Sequence, residues 1–322
     1  MSIKFDLAKY RDLGDKEADE VIEKLLEQEG VSFLRQLMPF LSDYQDLSFE
    51  NQPQILQDFL AKNATFPAFF DKKKLIRATD FYRENQQEIS LILGLYSLPY
   101  CYLGADGAKV LYFSERIKND TQKRLIETGH FLKSVLNYDN WTEQRIFAIC
   151  LKTRLLHASI RCFTLYSKRW DTIWGFPINQ EDMLGTNLAF SLVVLRGMEK
   201  LGYQVDESYE NAYLNTWNVI GFLLGVKPEI MPNNYLEAVK IDKLISERQF
   251  RQSPESQVLT ASLMNVIRSF APNKLTADLL QEQSRFLLGK KYAQMLGIAE
   301  TNIPNTLLKV YNTTSTLMSK IF

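Results

Sequence analysis

Two histidines stand among 322 residues, His130 and His157, so any chemistry that needs an imidazole as ligand or proton carrier falls on one of them. His157 has the more informative neighbours. Arg154, His157 and Arg161 follow one another at steps of three and four, which lays them along one narrow stripe of a helix. Ile146, Phe147, Ile149, Leu155, Leu156, Ile160 and Phe163 make the same helix apolar on more than one side. Buried cations are costly when unpaired, so something anionic is expected to face the stripe. Two kinds of anion qualify. One is a protein carboxylate such as Glu181 or Asp182, with His157 an ordinary core histidine. The other is a bound group whose metal takes the imidazole while its carboxylates meet the arginines, as haem iron and haem propionates do.

A second stripe lies one helix earlier. Arg124, Glu127, Thr128 and Phe131 place a cation, a carboxylate, a hydroxyl and an aromatic ring along one face, with His130 roughly 100° off it. The plain reading of Arg124 and Glu127 is an ion pair within the helix, worth a few tenths of a kcal/mol, roughly 0.3. Thr186 and Phe190, one turn apart, suit either core packing or the wall of a cofactor pocket. Pro177, Asn179 and Asp182 suit a turn and a helix start, and Trp217, Gly221 and Gly225 at four-residue steps suit close helix packing. Cys101, Cys150 and Cys162 form no CxxC pair and are odd in number, so they read as reduced residues in or near the core, and no zinc site is expected.

The elements that must position these residues are helical nearly throughout. Residues 15–30 carry Ala18, Val21, Ile22, Leu25 and Leu26 at helical steps with a stop at Gly30, and a second helix is expected up to Pro39. The apolar run 88–103 predicts a buried helix that Pro99 ends or kinks; Asp120 or Thr121 is the expected cap of the Arg124 helix, and Asn140 or Thr142 that of the His157 helix. Helices are further expected over 181–201, 207–224 and from Tyr235 to Phe322. The expectation is an all-α fold: one helical core over 65–322, with 1–64 a helical extension packed on it. The 38 basic and 38 acidic residues cancel, so no basic field recommends a nucleic-acid partner. No apolar stretch reaches the roughly 20 residues that span a bilayer, and the N-terminus turns acidic where a signal peptide turns apolar. A cytoplasmic protein is expected.

The segments RLLHASIR, WGFPINQEDMLGTNLAFS and NTWNVIGFLLGV, with FPAFFD, SLPYCYLGADGAKVL, RLIETGHFL, LTASLM and RFLLGKKYAQMLG, occur in an order that resembles the DUF2236 family, over roughly residues 65 to 300. That family includes latex-clearing rubber oxygenases and oxygenases of mycophenolic acid biosynthesis. The resemblance implies a single globin-like helical core, a haem b cofactor and O2-dependent oxidation or cleavage of a C=C bond in a small apolar, isoprenoid-like substrate. It implies that His157 is the proximal iron ligand and that Arg124 and Thr128 lie on the distal side, where they and Glu127 are the expected catalytic groups; Arg154 and Arg161 by their stripe, and Thr186 by its place one turn from Phe190, are the expected cofactor-binding residues. The rubber-cleaving members carry a lysine where this chain has Glu127, a cation that can become a neutral amine ligand replaced by a carboxylate. Three readings follow: an oxygenase, a haem-binding protein without turnover, and a helical protein with no cofactor.

Overall fold

The computed structural model describes residues 6–114 and 116–303. A 3₁₀ turn at Ala8–Asp12 leads into α1 (Lys16–Ser42), α2 (Gln54–Asn63), α3 (Lys72–Glu84), α4 (Gln86–Ile92), a π-helical turn (Leu93–Ser97), α5 (Leu98–Tyr102), α6 (Ala105–Phe113), α7 (Arg116–Val135), α8 (Tyr138–Thr142) and α9 (Arg145–Tyr166). Then come α10 (Gln180–Phe190), α11 (Leu192–Lys200), α12 (Glu207–Leu223), α13 (Tyr235–Gln249), α14 (Pro254–Ser269), α15 (Lys274–Leu288) and α16 (Lys290–Met295). The fold is all-α: among the described residues there is no strand, only an isolated bridge between Gly104 and Phe250. Helices expected beyond Ile303 lie outside the described residues. No helix among them is long and apolar enough to cross a membrane.

α9 is the central helix, with α1, α2, α7, α8 and α12 all packed on it. Its burial follows from the apolar residues on several sides, and Ile146, Cys150, Leu151, Leu155 and Ala158 are at most 1% exposed. α1 runs along it. Asp15 caps α1 by accepting the Ala18 amide, and the stop expected at Gly30 is instead a kink, because φ +81° there bends the helix without ending it. Lys152 of α9 is entombed, donating to the carbonyls of Asp43 and Asp46 just past the end of α1 and lying 3.9 Å above the Phe40 ring.

Several helix limits differ from the sequence reading. α7 begins at Arg116, ahead of the caps expected at Asp120 or Thr121. α9 begins at Arg145 after Gln144 in the left-handed region, with no side-chain cap, while Asn140 and Thr142 belong to the short α8 capped by Asn137. The 181–201 helix breaks at Ser191. Pro99 neither ends nor breaks its segment. The preceding π-turn absorbs it, and the Leu95 carbonyl, which would have taken an amide from position 99, accepts the Ser284 hydroxyl at 2.7 Å.

Candidate functional site

His157 sits midway along α9. Its Nδ1 is enclosed without a hydrogen-bond partner, while Nε2 keeps accessible surface and bonds to no protein atom among the described residues. Burial, then the Arg161 cation, push the imidazole pKa from its ordinary 6.5 down to about 4, against a smaller opposing pull from Asp15. The ring is therefore neutral at ordinary pH, with an open nitrogen. No acceptor orients its Nδ1, contrary to the usual arrangement of a metal-ligating histidine.

The anion facing the stripe comes from the protein, and from an unexpected place. Arg154 donates from Nε to Asp15 Oδ2 at 2.5 Å, from Nη2 to Asp15 Oδ1 at 2.8 Å and Glu17 Oε2 at 3.1 Å, and from Nη1 to Asn63 Oδ1 at 2.8 Å. Arg161, 1% exposed, donates from Nε to Asp19 Oδ1 at 2.6 Å and from Nη1 to the Ile178 carbonyl at 3.3 Å, leaving Nη2 enclosed and unpartnered. The carboxylates are thus Asp15, Glu17 and Asp19 of the α1 start. Glu181 and Asp182, the partners suggested by the sequence, are held elsewhere: Glu181 by Arg11, Arg248 and Gln249, Asp182 by Arg11 and Asn179. Asn179 is the cap of α10, as expected, accepting the Asp182 amide at 2.9 Å.

Gly225 has a specific task here. With φ +90°, a Cβ at this position would stand 2.3 Å from Asp15 Oδ2 and 2.9 Å from Arg154 Nε, so only glycine lets the backbone approach the ion pair. The packing role read from Trp217, Gly221 and Gly225 is real, but at Gly225 the neighbour is a salt bridge. Trp217 stacks on Phe190, with ring centroids 5.6 Å apart.

α7 packs on α9 and supplies the opposite wall. The Arg124 charge reaches both His157 and the Tyr102 phenol, lowering the proton affinity of each. The Thr128 hydroxyl donates to the Arg124 carbonyl at 2.9 Å, so it faces its surroundings as an acceptor. No ion pair joins Glu127 to Arg124 among the described residues. Glu127 instead stands near Tyr44, whose phenol donates to Thr153 at 3.0 Å because Thr153 gives its own proton to the Ile149 carbonyl. Burial is the main reason the Tyr44 pKa rises to about 12, with Glu127 adding to it.

Thr186 on α10 keeps exposed surface, yet its hydroxyl lies against the Cys101 thiol, which burial pushes up to about 12. Thr186 is thereby linked to Cys101, Tyr102 to Arg124, and Arg124 to His157, a chain of neighbours that runs from α10 through α5 and α7 to α9. His130 points away and is exposed. The sequence reading missed Asp15, Glu17 and Asp19; their signal was an acidic pair four residues apart at a helix start, matched to two arginines seven apart. It also passed over Cys101 and Tyr102 as site residues, although they stand in a tyrosine-rich segment that the resemblance singled out.

The family model "ER-bound oxygenase mpaB/B'/Rubber oxygenase, catalytic domain" matches residues 103–314. Rubber oxygenase from Streptomyces sp. (strain K30) is 24% identical over 298 residues, 91% of this chain and 73% of that protein. The latex clearing protein LCP in the closed state shares the fold with a TM-score of 0.76 at 22% identity, over 96% of this chain and 84% of that one. The chain belongs to the mpaB/B' and rubber oxygenase catalytic-domain family.

Proposed function

We propose that this protein is a haem b-dependent oxygenase that uses O2 to oxidise or cleave a C=C bond in a small unsaturated, lipid- or isoprenoid-like molecule. The observation that carries the reading is His157: a neutral, partly buried imidazole whose Nε2 is open and bonds to no protein atom among the described residues. The family membership supplies the reaction class. The site residues fit the cofactor. His157 would hold iron through Nε2, and the unpartnered Nη2 of Arg161 would meet a propionate. Arg154 has each of its three nitrogens already bonded to protein, so its part is to hold α9 against α1. Thr186 would line the pocket beside Cys101.

When bound, haem supplies O2 binding and activation at iron. The chain's own residues do the rest. Desolvation keeps His157 unprotonated, so its lone pair is available without competition from a proton. Arg124 brings a fixed cation to the space between α7 and α9, where it favours negative charge that develops during oxidation. Thr128, its proton committed to the Arg124 carbonyl, accepts a hydrogen bond and fixes the orientation of any donor there. Phe131, Leu156 and Phe190, partly buried on α7, α9 and α10, would offer apolar surface that suits a hydrocarbon chain.

Reconstitution with haem tests the reading. A Soret band is expected that His157→Ala abolishes or shifts; its absence, or indifference to that substitution, refutes the proposal. Oxygen uptake with unsaturated terpenoids, dependent on both haem and Arg124, is expected for an oxygenase. Glu127 favours one further reading, haem binding without turnover, which a Soret band combined with no substrate-dependent oxygen uptake would select. The ion pairs of Arg154 and Arg161 with α1 agree with a cofactor-free protein, but the open Nε2 does not.

A further inference from the structure

Arg154 and Arg161 lie one helical turn before and after His157, so the ring sits between two cations in a poorly screened interior. Both cations are compensated from the same short stretch of α1, but unequally. Arg154 has two carboxylates, Asp15 and Glu17, and the Asn63 amide. Arg161 has one carboxylate among the described residues, Asp19 on Nε, and a carbonyl at 3.3 Å, with Nη2 left over. Of the charges felt at His157, Arg161 weighs most, opposed by Asp15 and reinforced by Arg124, and Asp19 is the one carboxylate paired with Arg161 among the described residues.

We infer that Asp19 is a positioning residue for His157: by neutralising Arg161 it sets how strongly the Nε2 lone pair donates, to iron or to any other electrophile. This rests on the reading of His157 as the ligand only for the iron half of the statement. The physical reason is direct. A lone pair is held more tightly beside an uncompensated cation, and a buried guanidinium cannot lose its charge to relieve the field. Asp19 lies before residue 103, outside the catalytic-domain span that matches the family, so the α1 start becomes a working part of the site.

The two histidines provide an internal standard. Diethyl pyrocarbonate acylates a neutral imidazole nitrogen, and exposed His130 is the reference for His157, each followed by mass spectrometry in the full-length protein without haem. Asp19→Asn is expected to slow His157 relative to His130 by about threefold or more. Asp19→Glu should restore the ratio, and so should Asp19→Asn combined with Arg161→Gln, which removes the cation and also serves if the single variant folds poorly. An unchanged ratio in Asp19→Asn overturns the inference, as does a slowed ratio that persists when Arg161 is also replaced, or a wild-type His157 that never reacts.

In haem-loaded protein the same variant is expected to favour ferrous over ferric iron by about tenfold, a rise of about 59 mV in midpoint potential for a one-electron couple. A loaded protein whose potential does not move refutes the iron half. Failure of the wild type to take up haem would instead refute the function proposed above, while the acylation ratios still decide the role of Asp19.

Discussion

The two walls of the site are built differently. Behind His157, nearly every polar group of the stripe is answered: two arginines meet three carboxylates, an amide and a carbonyl, and Lys152 is tied to the chain that follows α1. On the α7 side, among the described residues Thr128 bonds only within its own helix and Glu127 forms no ion pair with Arg124, whose charge is felt at His157. A wall that is over-determined holds a ligand in place, and a wall with spare bonding capacity can answer to what is bound. The contrast predicts that substitutions behind His157 register first in stability, and those on α7 first in reactivity.

The largest effect should come from Arg154. Removing the guanidinium by Arg154→Met leaves Asp15, 5% exposed, without its counter-ion, and breaking a buried pair from one side costs about 3–5 kcal/mol. Urea unfolding should show a midpoint lowered accordingly, whereas a loss under about 1 kcal/mol would mean that this wall is not over-determined.

His157 comes next, through pH. Its folded pKa of about 4 lies below the ordinary 6.5, so between those values the unfolded chain binds a proton that the folded protein refuses. Stability from this group is complete above the unfolded value, is lost as pH falls from 6.5 toward 4, and changes no further below that. The loss is on the order of 3 kcal/mol, since each pKa unit is worth about 1.4. Comparing apo wild type with His157→Gln from pH 4 to pH 7 isolates it from the carboxylates that titrate nearby. Parallel stability curves for the two proteins would contradict it.

Gly225→Ala should follow at about 1–3 kcal/mol, combining a strained positive φ with a methyl group forced into the Asp15–Arg154 contact. If the ion pair yields to the methyl, the variant should also lose the part of its stability shared with Arg154→Met, and the two losses should not add. Full additivity would show that Gly225 serves the backbone alone.

The stripe of Arg154, His157 and Arg161 was legible in the sequence because helical spacing places residues on a face without any knowledge of the fold. So was the demand for an anion. What spacing could not supply was its source, because Asp15 and Asp19 are more than 130 residues away and meet α9 only through the packing of α1. Caps near the site failed for a related reason: Asn140 and Thr142 are good cap residues, but the chain spends them on the short turn of α8, and tertiary packing starts α9 without a cap. Pro99 reads in the sequence as ending or kinking its helix; it does not end it, since the preceding π-turn takes it up and the hydroxyl that satisfies the Leu95 carbonyl comes from Ser284. At Gly225 the spacing pointed to close packing, and the partner was invisible until the fold brought Asp15 beside it.

The smallest stability effect, and the sharpest test of the contrast, is at Glu127. The carboxylate is half-buried, has no ion pair to Arg124, and stands near a phenol whose proton is committed to Thr153. Glu127→Gln keeps the shape and removes the charge, so stability should stay within about 0.5 kcal/mol of wild type. The acylation ratio of His157 to His130 should also hold, because Glu127 is not among the charges felt at His157 and, unlike Asp19, pairs with none of them among the described residues. In haem-loaded protein, the expected change is in oxygen uptake and its pH profile, since a carboxylate able to carry a proton is replaced by an amide that cannot. Glu127→Lys should go further and alter the Soret band, placing an amine where the rubber-cleaving relatives are expected to have one. If both variants lose several kcal/mol and leave the spectrum untouched, α7 is a structural wall like the one behind His157, and the division between a holding side and a responding side is wrong.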